Sequence, residues 1–229
     1  MKTIHACAAF AATFALGSTA LGGVLQLESF ENYSVGSGAF EDLNGESHFL
    51  ENYDDHTVVG DNWSVYFTNT GGTGFTDGDY HGVTDYTGGG ISDAGGYTDG
   101  IQGYQMSDTD GMVTMTFDAV DGATGLSLDL FVRSTGWESS DLIKITFGDT
   151  VLLDTTGLDI DDAAGSLGIT EGAWTTLSGA GSGELVIEFA SNSSTETAAF
   201  DNIQWTGVPA PGALALLGLA GLASRRRRR

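Results

Sequence analysis

The sequence predicts an all-β fold, a two-sheet β-sandwich of jelly-roll type, on three observations. Apolar residues between the two ends recur with period two rather than 3.6, and the segments that carry this period are short. Clusters of Gly, Asp and Thr separate them, drawn from 35 glycines in 229 residues. That length has room for one core, because both ends read as processing segments.

The elements follow in chain order. Period-two segments at 24–30, 63–68, 112–117, 126–132, 142–147, 151–155, 174–178, 185–189 and 198–205 are expected to form about nine strands. The clearest is 126–132, where Leu126, Leu128, Leu130 and Val132 share one face. Phe147 and Val151 straddle a Gly148-Asp149-Thr150 connection, which predicts a β-hairpin. No helix is predicted within this region. Residues 69–111 are dominated by Gly, Asp, Thr and Tyr, and are expected to form long loops on one side of the sandwich. Short antiparallel strands without helices must bury their apolar faces against one another, hence the two sheets. No repeat of blade length is visible.

The two ends have their own chemistry. Residues 1–22 have the order of a secretory signal peptide: Lys2, a mostly apolar run over 6–16, and small residues at Ala20 and Gly22. Cleavage after Ala20, with Ser18 at the other small position, fits nearly as well as cleavage after Gly22. The run is too short to span a membrane. The single cysteine, Cys7, begins the run instead of following it, so it is not read as a lipid attachment site.

At the other end, Val208, Pro209, Ala210, Pro211 and Gly212 form a proline motif that breaks the preceding strand. An apolar stretch up to Ser224 follows, and Arg225, Arg226, Arg227, Arg228 and Arg229 close the chain. At about 1.5 Å per helical residue, 208–224 just suffices to cross a bilayer, and the arginines would hold its end at the cytoplasmic face.

The order of proline motif, apolar helix and basic stop resembles the PEP-CTERM sorting signals of Gram-negative and related environmental bacteria. Ala210 stands where that family usually has glutamate between the prolines. The resemblance implies export through the secretion translocon and a transient inner-membrane anchor. It also implies cleavage by an exosortase-type protease and display at the cell surface or beyond it, an association with exopolysaccharide and biofilm. Retained instead of cut, the same residues would make a permanent anchor.

Charge excludes some partners. The chain carries eight Lys and Arg against 31 Asp and Glu. Only Arg133 and Lys144 lie between the two ends, so the processed domain has two cations against 31 acids, a net charge of −29. Nucleic acid is excluded as a partner. Without Cys7 the domain has no disulfide and no thiol nucleophile.

Candidate binding residues are aromatic and acidic. Trp63, Trp174 and Trp205 sit in strand-like segments and are expected in the core, whereas Trp137 is in a turn-like segment and is expected at the surface. Trp137, with Tyr80, Tyr86, Tyr97 and Tyr104 of the 69–111 loops, is the candidate set for stacking on sugar rings. The motifs Leu27-Glu28-Ser29-Phe30-Glu31-Asn32 and Ala199-Phe200-Asp201-Asn202-Ile203 resemble the ends of calcium-containing carbohydrate-binding jelly rolls. That resemblance implies a structural calcium held by Glu28 or Glu31 together with Asp201, which suits a cation that takes six to eight oxygen ligands.

Catalysis has little to stand on. Glu41, Glu46, Glu51 and Glu138 are available to a glycosidase, but no spacing singles out a facing pair. His48, His56 and His81 read as lone loop histidines. No Gly-x-Ser-x-Gly, phosphate loop or paired-histidine motif occurs. The sequence therefore predicts a non-enzymatic surface or matrix protein that engages extracellular polysaccharide. A carbohydrate-active glycanase or lyase and a purely structural coat protein stand as the alternatives.

Overall fold

The computed structural model describes residues 22–33, 56–59, 62–69, 80–133 and 136–207. The leader up to residue 21, the tail from residue 208, and Glu41, Glu46, His48 and Glu51 lie outside the described residues. The described residues form β1 (Gly23–Glu28), β2 (His56–Val59), β3 (Trp63–Asn69), β4 (Tyr80–Thr84), β5 (Gly103–Ser107), β6 (Gly111–Phe117), β7 (Ala123–Val132), β8 (Leu142–Phe147), β9 (Thr150–Asp154), α1 (Ile160–Leu167), β10 (Trp174–Ala180), β11 (Leu185–Ala190) and β12 (Thr197–Gly207).

Two six-stranded antiparallel sheets face each other. The front sheet runs β10-β7-β12-β5-β4, with β1 added beside the second half of β12, and the back sheet runs β2-β3-β6-β11-β8-β9. Strict alternation writes this packing into the sequence: every second residue of β6 is buried, as is every second residue of β8 and β11. Val65, Phe67, Met115, Phe117, Leu128, Leu130, Ile145, Phe147, Ile187, Phe189, Phe200 and Trp205 fill the space between the sheets. The expected hairpin at 147–151 is β8–β9, with Gly148 at φ +54°. Trp63 and Trp205 are buried in the core, as expected.

Three expectations are corrected. β4 and β5 lie inside the segment read as loops. Their sequences lack alternation because β5 is buried on both faces, and period two marks a strand only when one face meets water. The cause is a strap, residues 85–102, that folds over the outer face of the front sheet. There Ile91 and Tyr97 bury Phe131 and Ala199 in a second small core, with Ala94 and Trp174 at its margin. The third correction is α1, which has only two buried residues, Ile160 and Ala164, and so shows no apolar stripe. Its ends were legible, however: Asp159 caps the N-terminus through Asp162 N, and Gly168 closes the other end at φ +76°. Among the described residues no helix is long and apolar enough to cross a membrane; the tail expected to do so is not among them.

Register assigns most of the described connections to one of two poles. Gly23 pairs with Gly207, so both ends of the sandwich leave from the same near pole. Ala123 also pairs with Gly207, and Phe147 with Leu185, which places connections 118–122, 148–149 and 181–184 there. Thr197 pairs with Ser107 and Ala198 with Val132 at the far pole. Connections 108–110, 133–141, 155–173 and 191–196 therefore meet at the far pole.

Candidate functional site

The far pole gathers carboxylates from separate loops. Glu138 and Asp141 of the β7–β8 connection and Glu196 before β12 bring one oxygen each to within 4.8 Å of one another. The loops are held by their own backbones: Glu138 N donates to Asp141 Oδ2 at 2.6 Å, Asn192 N to Glu196 Oε2 at 2.9 Å, and Glu196 N to Ser193 O at 2.9 Å. Asp141 is 2% exposed and Glu196 1%, while Glu138 is open to solvent. A cavity of about 290 Å³, lined by Asp110, Ser140, Asp141, Ser191 and Asn192 among others, opens beside them.

Electrostatics here is strained by like charge. Burial, then the charges of Glu138, Asp159 and Asp161, push the Asp141 carboxyl up to about 6, against the lowering effect of the Glu138 amide. Burial pushes Glu196 to about 7, opposed by the Asn192 amide and reinforced by Asp141, Glu138 and Asp108. Glu171, in the neighbouring connection, rises to about 7 through burial and a hydrogen bond to Asp161, which favours the protonated form. Asp141 and Glu196 each commit one oxygen to a backbone amide, and the other oxygen has no protein donor among the described residues. Oxygen-only donors that repel one another fit a hard divalent cation such as calcium, whose charge would reverse the penalty.

The acids singled out in the sequence occupy a different place. Asp201 points out of the front sheet beneath the strap. Its Oδ2 accepts from Thr98 N and Asp99 N, both at 2.7 Å, and from Thr98 Oγ1 at 3.1 Å, while Oδ1 accepts from Asn202 N at 2.7 Å. Glu31 Oε1 accepts from Ile101 N and Gln102 N at 2.7 Å, and Glu28 Oε1 from Phe30 N at 2.7 Å. The structure thus gathers Glu31 and Asp201 on one short stretch of strap, but through N–H and O–H donors. Burial still raises Asp201 to about 6, opposed by these donors. Here the carboxylates fasten the loop that makes β5 two-sided.

The aromatic candidates divide. Trp137, expected at the surface, is 1% exposed: its indole N–H donates to Arg133 O at 2.7 Å and its ring meets Phe189 edge-on at 6.1 Å. A turn-like sequence brought the ring over the end of the core instead of into water. Tyr104 is buried against Trp63 and Phe30, and Tyr97 lies in the small core with its hydroxyl donating to Tyr86 O at 2.9 Å. These three rings present no face to a sugar. Tyr86 is 41% exposed on the strap. Tyr80 begins β4, and its side chain lies outside the described residues. His81 is buried, with Nδ1 2.8 Å from Tyr104 Oη.

Sequence reasoning missed the outer face of the back sheet. Register places Tyr66, Thr114, Glu188, Lys144 and Asp154 side by side across five strands. A second row holds Ser64, Thr116, Val186 and Thr146. Tyr66 is 44% exposed, and Lys144 Nζ lies 3.7 Å from Glu188 Oε2 with both side chains about one-third exposed. Alternation alone would have found these outward positions had the sheet order been known.

No family model matches the chain, and no curated protein does. Among solved structures the chain is similar to the K2 cleaved adhesin domain of Lys-gingipain, with 17% identity, 79% of this chain and 98% of that chain covered, and a TM-score of 0.42. A family 11 carbohydrate-binding module from Clostridium thermocellum, in complex with a β-1,3-1,4-mixed-linked tetrasaccharide, gives 13% identity, coverage of 66% and 91%, and a TM-score of 0.32. The enzymatically active domain of bacteriophage CBA120 tailspike protein 4 gives 14% identity, coverage of 65% and 19%, and a TM-score of 0.34.

Proposed function

We propose that the protein is an exported, non-catalytic surface module that holds neutral extracellular polysaccharide on the outer face of its back sheet. The leader and the PEP-CTERM-like tail support export and surface sorting. The observation that carries the binding reading is the exposed Tyr66 ring on a sheet face that also presents Thr114, Thr116 and Thr146 and the Lys144–Glu188 ion pair. A tyrosine face offers apolar surface to sugar C–H groups, and strands about 4.8 Å apart repeat hydroxyl and charged hydrogen-bonding groups on a rigid platform. The processed domain's two cations against 31 acids, a net charge of −29, disfavour a polyanion and point to an uncharged polymer.

Calcium has a structural part in this reading. Glu138, Asp141 and Glu196 would hold it at the far pole, pinning two loops and removing the repulsion between buried carboxylates. Glu31 Oε1 and both oxygens of Asp201 accept from backbone N–H and Thr98 O–H donors, and these bonds fasten the strap.

Co-sedimentation of residues 23–207 with envelope polysaccharide, in calcium and in chelator, tests the proposal while new sugar ends are monitored. Saturable binding without new ends is expected. Release of sugar ends would replace the module with a glycanase or lyase, and neither binding nor release would leave a structural coat.

A further inference from the structure

We infer that, while its tail is in the membrane, the sandwich stands end-on, with the near pole against the lipid and the acidic far pole held away from it. This rests on reading residues 208–229 as the membrane-inserted tail. The pairing of Gly23 with Gly207 puts both exits at one pole, and β12, with an irregularity between Asp201 and Gln204, runs to it from the other. β12 has 11 residues, which at about 3.3 Å each makes the sandwich at least ~33 Å long on this axis. Between Gly207 and the apolar run there are five residues, 208–212, whose fully extended reach is about 18 Å. The tether is therefore about half as long as the domain. The domain therefore cannot be inverted, far pole towards the bilayer and near pole away from it, without unpairing β12.

Charge decides between standing and lying flat. Among the described residues the near-pole connections carry four acids, Asp118, Asp121, Asp149 and Glu184. The far-pole connections carry nine, two in 108–110, two in 133–141, four in 155–173 and one in 191–196, against a single cation, Arg133. An anionic lipid surface is screened within about 8 Å at physiological salt, so an upright domain keeps the larger group outside the repulsive layer. A domain on its side would bring both groups into it. Upright, the back-sheet face with Tyr66 is perpendicular to the membrane.

Site-specific quenching tests this on the full chain in vesicles of phosphatidylethanolamine and phosphatidylglycerol carrying a headgroup-attached quencher. Ser182→Cys at the near pole and Ser194→Cys at the far pole replace exposed serines by a similar side chain, each in a Cys7→Ser background and labelled with one fluorophore. Co-flotation of the chain with the vesicles comes first, and its absence would refute the membrane tail itself. With co-flotation, at least threefold stronger quenching at position 182 than at 194 is expected. Equal quenching, or stronger quenching at 194, would overturn the end-on stance and leave the tail reading in place.

Discussion

Replacing Glu196 by glutamine should stabilise the domain at alkaline pH in chelator and destroy its response to calcium. Glu196 is displaced from 4.5 to about 7 in the folded state, first by burial and then by Asp141, Glu138 and Asp108. A folded value above the unfolded one favours folding at low pH. The penalty is absent below about 4.5, grows as pH rises, and is complete above about 7. At about 1.36 kcal/mol per tenfold change in proton affinity its ceiling is about 3 kcal/mol. Glutamine keeps an acceptor for Asn192 N and turns a repelled anion into a donor toward Asp141. With relaxation, roughly half of the ceiling is recovered, a rise in Tm of about 3–6 °C at pH 8 for a domain of this size. At pH 5 the difference should fall to about a quarter of that, because Glu196 is then protonated in the folded wild type and only the unfolded carboxyl has begun to ionise. Calcium at 100 times its Kd should stabilise the wild type by about 2.7 kcal/mol and the variant far less. Thermal melts followed by circular dichroism at pH 5 and 8, in calcium and in chelator, read all four combinations. A variant that melts below wild type at pH 8 in chelator, or an equal calcium shift in both proteins, would refute the triad as a strained cation site.

Tyr66→Ala should weaken polysaccharide binding by about tenfold or more in affinity gels while leaving Tm within a few degrees, since the residue is 44% exposed. Equal binding by the variant would remove the back sheet from the reading. Trp137→Ala should leave that binding untouched but cost about 3–5 kcal/mol of stability in urea unfolding, because it empties a fully buried site against Phe189. Asp201→Ala should strip the acceptor from Thr98 N and Asp99 N, destabilise by about 2–4 kcal/mol, and speed amide hydrogen exchange across residues 97–102 above that of the sheets. Uniform exchange in that variant would show that Asp201 does not fasten the strap.

Most of the sandwich was legible wherever a strand has one wet face. β6, β8 and β11 alternate in sequence as they do in burial, because a residue's side of the sheet is set by parity alone. The Gly148-Asp149 turn, the charge surplus and the order of features at both ends are local or compositional, so they too could be read directly. Legibility fails where burial is decided by a distant segment. The strap at 85–102 covers β5 and the first half of β12, so those strands are buried on both faces and lose their pattern. Trp137 sits in a turn-like sequence and is buried because the end of the core lies beneath it. Asp201 and Glu31 were singled out as a pair by sequence and do share the strap, but only the fold shows that amides take their oxygens. The triad of Glu138, Asp141 and Glu196 joins residues up to 58 positions apart, and the Tyr66 row joins five strands in an order unrelated to the chain. By itself the sequence determined strand parity, turns, charge and the chemistry of the ends, since each depends on neighbours along the chain. Which carboxylates converge, which aromatic rings face water and which pole carries both ends were left to the tertiary structure, because each depends on strand pairing across the sheets.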